Sequence, residues 1–410
     1  MTEQDKKILD KSDKLHEESL VVDLHNHPTL KASLFSRNLK ERNKKWLSTL
    51  FREKFWPLTT RSNFPSVKQG GVNVLLSTVY APELQWADHI KLIKWMLWLY
   101  SGVREKYFDP PYFDITTVMM DEIERQVEEQ EGFQFAKRVD EIDEIINEGN
   151  ICLLHSIEGA HSLQGEVSGK LMRQEEGSPA EVEGEIMGNL EKLYERGVVY
   201  LTLAHFYPNQ VVSPVFPYPD YGLKHTGREI IKEWDMTEGL TPIGERVVEK
   251  MIELGMMIDV CHCTLPARKR IYEIAEASGV DSCVFSTHTG AFEVNRDLYN
   301  LQDWEIKWIA DHGGVVGIIF MNYWISPVNT GMGLKYIEET LKHIIKVSNV
   351  NVPAIGTDFD GFTDPPDELI DTGELPHITR YLLSCGYDET IVRNFLGLNA
   401  FSMIKRGWKR

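Results

Sequence analysis

Short apolar runs, each closed by a polar or turn residue, recur along the chain with longer amphipathic stretches between them. Eight stand out: LVVDLH (20–25), VNVLLSTV (72–79), ICLLHSI (151–157), VVYLTLAH (198–205), MMIDVCH (256–262), SCVFSTH (282–288), GGVVGIIFM (313–321) and VPAIGTD (352–358). Several are apolar at consecutive positions, hence on both faces, which suits parallel strands buried between two layers. The intervening stretches carry helical spacing. TPIGERVVEKMIELG (241–255) predicts a helix with Thr241 as its N-cap, Pro242 in the first turn and Gly255 as its stop. GLKYIEETLKHIIKVSN (333–349) predicts another. Strand-like runs alternating with helices predict an α/β fold closed into a (β/α)8 TIM barrel. A doubly wound open sheet is the competing arrangement. It normally needs fewer strands, and no glycine-rich dinucleotide fingerprint follows an early run here.

The pattern predicts one domain spanning residues 1–410, with long connections near 31–71, 80–150 and 164–187. The second contains IKLIKWMLWLYSGVREKYF (90–108), whose aromatic stripe reads as helix core or as an oligomer face, making a homodimer a candidate assembly. The third, QGEVSGKLMRQEEGSPAEVEGEIM, reads as an exposed insertion.

Composition narrows the function. Hydrophobic residues make up 42% of the 410, enough for a large core. A formal net charge of -18 argues against nucleic acid and against an anionic membrane surface as partners. The five cysteines (Cys152, Cys261, Cys263, Cys283 and Cys385) are scattered and odd in number, which fits a reducing compartment better than a disulfide framework. The charged N-terminus is not a signal peptide, and no run approaches the ~18–20 apolar residues of a membrane span. A cytoplasmic location is the expectation.

Chemistry enters where the runs end. Along a strand, positions i and i+2 share a face, so His25 and His27 could aim both imidazoles at one point. That point holds a metal, or the pair is simply polar. The rest of the chain decides for a metal. Glu158 follows run three, His205 ends run four, His262 run five, His288 run six and Asp358 run eight. In a barrel all of these fall on the C-terminal rim, where the βα loops build the active site. Burying so many ionisable groups without a cation would cost several kcal/mol each. Imidazole and carboxylate donors suit zinc, and there are more of them than one ion needs. Glu158 could give one oxygen to each of two ions. His205 could be a further ligand. Asp360 reads as a turn residue, and His161 as a supporting residue or a plain loop histidine.

At this point DLHNHP, SIEGAH, YLTLAHFYPN, IDVCH, FSTHTGA, NRDLYN and IGTDFDG, in that order, resemble the membrane (renal) dipeptidase family, the M19 peptidases of the amidohydrolase superfamily. The resemblance runs from about residue 20 to 400. It implies a zinc-dependent dipeptidase that hydrolyses the amide bond of dipeptides through a metal-bridging hydroxide, with two zinc ions (Zn2+) as cofactor. His25, His27 and Glu158 would hold one ion; Glu158, His262 and His288 the other. His205 would contact the substrate near the scissile carbonyl, Arg296 would bind its terminal carboxylate, and Asp358 would shuttle the proton. The chain departs from the family pattern at His27, which replaces an aspartate, and at Trp324, where the family tends to carry a tyrosine. Two alternatives accompany this reading. One is another hydrolase of the superfamily, acting on an N-acyl amino acid, lactone or cyclic amide. The other is a catalytically silent metal-binding scaffold.

Overall fold

The computed structural model describes residues 3–42, 59–85, 101–170, 177–216, 235–328, 333–361 and 364–410. Among these, nine strands form one parallel sheet: β1 (Val22–Asn26), β2 (Val74–Val79), β3 (Phe133–Phe135), β4 (Ile151–Glu158), β5 (Val198–Thr202), β6 (Met257–Asp259), β7 (Val284–Thr289), β8 (Val316–Ile319) and β9 (Pro353–Gly356). β1 pairs with both β2 and β9, and pairing of β2 with β4 closes the ring. All eight predicted runs therefore become staves of a (β/α)8 TIM barrel. β3 is an addition that the hydrophobic pattern did not reveal. It pairs with residues 151–153 of β4, while β5 takes residues 155–158 on the same edge, with a register shift between His155 and Ser156.

Local rules explain the helices that were predicted. The helix Pro242–Leu254 starts where the Thr241 hydroxyl accepts the Gly244 N–H (3.0 Å) and stops at Gly255, whose φ of 73° is left-handed. The second predicted helix spans Leu334–Val347. Two of the long connections carry structure of their own. Residues 80–150 contain the helices Ser101–Tyr107, Tyr112–Glu128 and Glu141–Asn147 besides β3. Of the aromatic stripe 90–108, residues 90–100 lie outside the described residues. Within 164–187, of which residues 171–176 lie outside the described ones, a helix begins at Pro179, capped reciprocally by Ser178 and Glu181, and runs to Glu195. Its buried face is Val182, Ile186, Leu190 and Leu193, a helical spacing obscured by the glycines and glutamates between.

Two cores follow from the alternation of the staves. Leu75, Leu153, Leu201, Ile258, Val316 and Ile355 pack outward under the helices. Val22, Val74, Leu154, Tyr200, Met257, Phe285 and Ala354 fill the barrel interior. The end where the strands start is closed by the C-terminal helix Asn399–Gly407 and the fully buried Trp408. Asn399 donates to the Pro353 carbonyl and Arg406 to that of Gly313, so this helix spans the feet of several staves. With that end apolar and sealed, polar side chains collect at the other.

Candidate metal centre

His25 and His27 sit at the top of β1, Glu158 ends β4, His288 lies in β7, and Asp358 is two residues past β9. His205 and His262 lie three residues beyond β5 and β6, on loops and not at the strand ends. All seven residues are 0–4% exposed. Strict alternation would not have gathered them. Leu24 and Phe285 face the interior, so their near neighbours should alternate away from the shared centre. β1 shifts register between Asp23 and Asn26, and β7 between Ser286 and Thr289, at the places where His25 and His288 stand. Such irregularities re-aim side chains.

The resulting geometry is compact. Glu158 Oε1 lies 3.3 Å from the Nε2 atoms of His25, His262 and His288. Its Oε2 lies 3.2 Å from His27 Nε2 and 3.4 Å from His205 Nε2. The Nε2 atoms of His25 and His27 are 3.0 Å apart, and those of His262 and His288 3.1 Å. Tetrahedral coordination at about 2.0–2.1 Å sets donor atoms roughly 3.3–3.4 Å apart, close to these spacings. Among the described residues, His25, His27 and Glu158 form one group able to hold an ion, and Glu158, His262 and His288 another. Glu158 is common to both.

Two hydroxyls set the tautomers. Tyr200 donates its one proton to the Leu24 carbonyl (2.8 Å), so toward His25 Nδ1, also at 2.8 Å, it accepts. Thr287 donates to Asp259 Oδ2 (2.6 Å) and accepts from His288 Nδ1 (2.6 Å). Each histidine is thereby protonated on Nδ1, leaving an Nε2 lone pair for a cation. Lone pairs facing each other near 3 Å repel, and Glu158 Oε1 is buried without a hydrogen bond. A cation satisfies all of these groups, so the donor set fits a metal. Burial pushes the His262 imidazole down to about 4, which keeps it a neutral donor. Burial also opposes charge on Glu158, but the charge of His205 beside it is the largest of the influences that hold its carboxyl well below the usual range. A third group, His25, Asp259 and His288, shares two of these residues. The Asp259 oxygens, however, are already taken by Thr202, Thr287 and the Cys261 N–H, so Asp259 acts as a support.

Asp358 Oδ1 is 3.3 Å from His27 Nε2. Gly361 leaves room at this point: a Cβ there would lie 2.0 Å from Asp358 Oδ1 and 2.6 Å from His27 Cδ2, and would displace them. Asp360 turns away and pairs with the buried Lys31 (2.8 Å). Arg296, expected to bind the substrate's terminal carboxylate, stands apart from these seven side chains. Its side chain is 75% exposed and pairs with Glu293 at 3.3 Å. Asn295 is tied to the Trp324 carbonyl (2.9 Å), as is Asn300 (2.7 Å), and this leaves Arg296 at the outer tip of the loop. The buried place belongs to Tyr299, which donates to the His288 carbonyl at 2.5 Å and stacks on Trp324 with ring centroids 3.9 Å apart.

Tyr200, Thr287, Asp259 and Glu83 were missed. The first three lie inside apolar runs and read as strand filler. Glu83 follows β2, a stave whose end was assigned no chemistry although most of the others carry some; that gap was the available signal. Its Oε2 stands 3.1 Å from His205 Nδ1.

A family model described as Membrane dipeptidase (Peptidase family M19) matches residues 9–177 and 178–407. Among solved structures, the chain is similar to dipeptidase AC, a metallo peptidase of family M19, at 19% identity and TM-score 0.69, covering 95% of this chain and 99% of that one. A metallo peptidase from Rhodobacter sphaeroides, liganded with a phosphinate mimic of the dipeptide L-Ala-D-Ala, matches at 20% identity and TM-score 0.69 over 95% and 100% of the two chains. The probable dipeptidase PvdM from Pseudomonas aeruginosa matches at 15% identity and TM-score 0.67 over 98% of each. At such identities the likeness speaks for the fold. No helix among the described residues is long and apolar enough to cross a membrane.

Proposed function

The chain belongs to the membrane dipeptidase family, peptidase family M19 of the amidohydrolase superfamily, and from that premise we propose that it hydrolyses the amide bond of a dipeptide with water at a centre of two zinc ions. One observation carries the reading: Glu158 is shared by two ligand groups, His25 and His27 on one side, His262 and His288 on the other. Bound divalent cations would polarise the scissile carbonyl and bring a water's pKa toward neutrality.

The chain's own residues supply the rest. His205 points Nε2 at the centre without belonging to either ligand group, which suits a donor to the carbonyl oxygen as that oxygen gains charge. Asp358 stands at the rim beside His27, placed to take a proton from the attacking water and return it to the leaving nitrogen. The tautomers set by Tyr200 and Thr287 keep two ligand lone pairs directed inward whether or not substrate is present.

The position of Arg296 favours a second reading. Without that guanidinium at the centre, a free carboxylate is not demanded of the substrate, and an N-acyl amino acid, lactone or cyclic amide becomes admissible. One experiment separates the two. The zinc-loaded protein is assayed on a panel of L-L and L-D dipeptides and on acyl amino acids and lactones, then treated with a chelator, with metal counted by mass spectrometry. The expected result is about two zinc ions per chain and dipeptide turnover that chelation abolishes and zinc restores. Turnover of lactones or acyl amino acids, with none on any dipeptide, would establish the second reading. A single ion per chain would refute the paired centre.

A further inference from the structure

Glu83 is a carboxylate with 2% exposure, on the loop just beyond β2, and among the described residues no lysine or arginine forms an ion pair with it. Its bonds are specific. Oε2 accepts from the Tyr80 hydroxyl (2.8 Å) and lies 3.1 Å from His205 Nδ1, while Oε1 accepts the Tyr207 N–H (3.0 Å). His161 Nδ1 approaches Oε1 at 4.0 Å, and its other ring nitrogen is held by the Ala81 carbonyl at 2.8 Å. The His205 ring is gripped as well. Phe206 stacks on it with centroids 3.8 Å apart, and Tyr80 leans on it at 4.2 Å. Bound at Nδ1 and held between two rings, the imidazole presents its Nε2 edge to the centre, 3.4 Å from Glu158 Oε2.

A buried carboxylate is a costly way to fill space, since an apolar side chain of similar volume would pack there without loss of hydration. The arrangement is economical only if the orientation of His205 matters. We propose that Glu83 is the positioning residue for His205: it accepts the Nδ1 proton of a ring protonated on both nitrogens and so fixes that ring with its Nε2–H directed at the carbonyl oxygen of the bound amide. The proposal rests on the reading of His205 as a substrate contact, and it explains why this histidine stands outside both ligand groups although it lies beside Glu158.

The test compares Glu83→Gln, Glu83→Asp, His205→Ala and the Glu83→Gln/His205→Ala pair in the zinc-loaded protein. Glu83→Gln is expected to lower kcat by about 10–100-fold, with KM changed less than about threefold and zinc content unchanged. In the His205→Ala background the same change is expected to have little further effect. Glu83→Asp, which keeps the charge on a shorter stem, is expected to recover part of the loss. A second readout needs no substrate: with 15N-labelled histidine, the native protein should show a downfield Nδ1–H resonance that disappears in both His205→Ala and Glu83→Gln. If no dipeptide is turned over, this resonance still decides the proposal, separately from the reading of the activity. Its persistence in Glu83→Gln would overturn the proposal. So would an equal loss of kcat from Glu83→Gln with and without His205, or a loss explained by missing zinc. Should Glu83→Gln fail to fold, the kcat and resonance of Glu83→Asp serve the same purpose, and wild-type values for both would overturn it.

Discussion

Asp358 lies in left-handed backbone (φ 55°), a conformation that costs a residue other than glycine about 1–3 kcal/mol. Its N–H is bonded to the His25 carbonyl at 2.9 Å, and Gly361 leaves room for its carboxylate. Strain retained at such a place suits a side chain whose direction matters. Asparagine tolerates the same backbone and keeps the shape, but cannot take a proton. Asp358→Asn is therefore expected to retain both metal ions and to lower kcat by about 10²–10⁴-fold, checked by metal analysis and steady-state kinetics. Arg296→Ala serves as its counterpart. With its side chain 75% exposed and paired to Glu293, its loss should change kcat/KM less than about twofold. A large rise in KM would show that Arg296 swings in to meet substrate.

Glu124, on the helix Tyr112–Glu128, latches that helix to its neighbours. It accepts from His155 of β4 at 2.8 Å and from Arg196, just past the helix Pro179–Glu195, at 3.2 Å. Burial raises the Glu124 pKa, but these donors outweigh it and bring it down to about 2. The sign follows from linkage. A carboxyl whose folded value is depressed stabilises the fold above its unfolded value, near 4.3, and that stability is lost as pH falls toward 2. Burial also lowers the His155 value, so below about pH 6.5 the unfolded chain gains protons more readily at that residue too. Both effects predict acid lability. Glu124→Gln should lower the melting temperature at pH 7, and the gap to wild type should narrow at pH 3. An equal deficit at both values would mean that packing, not charge, holds this latch.

Across the whole molecule, the barrel divides into a sealed apolar foot and a polar mouth. The foot is closed by the helix Asn399–Gly407 and by Trp408, which has no exposed surface. Trp408 packs in one cluster with interior residues of several staves, Val22, Met257 and Phe285 among them. Removing it should therefore loosen the closure of the ring and not one local contact. Trp408→Ala is expected to cost about 3–5 kcal/mol in urea unfolding while leaving zinc binding at 25 °C intact. Loss of metal before any loss of stability would show that foot and mouth are more tightly coupled than the packing implies.

The eight staves and most of the centre were legible in the residues themselves, because each stave is a short apolar run and most end in a group with metal or proton chemistry. Periodicity and capping depend on neighbours a few positions apart, and these survive in the linear order. So did the helix Pro242–Leu254, whose cap, proline and terminal glycine all belong to its own stretch. What the folded chain decided depends on residues far apart. The register shifts in β1 and β7 arise from pairing with other staves, and they aim His25 and His288 inward against simple alternation. Arg296 was assigned to the substrate by resemblance alone, and where its side chain stands was set by Asn295 and Asn300, anchored to the Trp324 carbonyl. Glu83 meets His205 across 122 positions, a contact no local pattern records. Composition and spacing could name the donors; the direction each side chain takes was set by hydrogen bonds and packing that exist only once the barrel has closed.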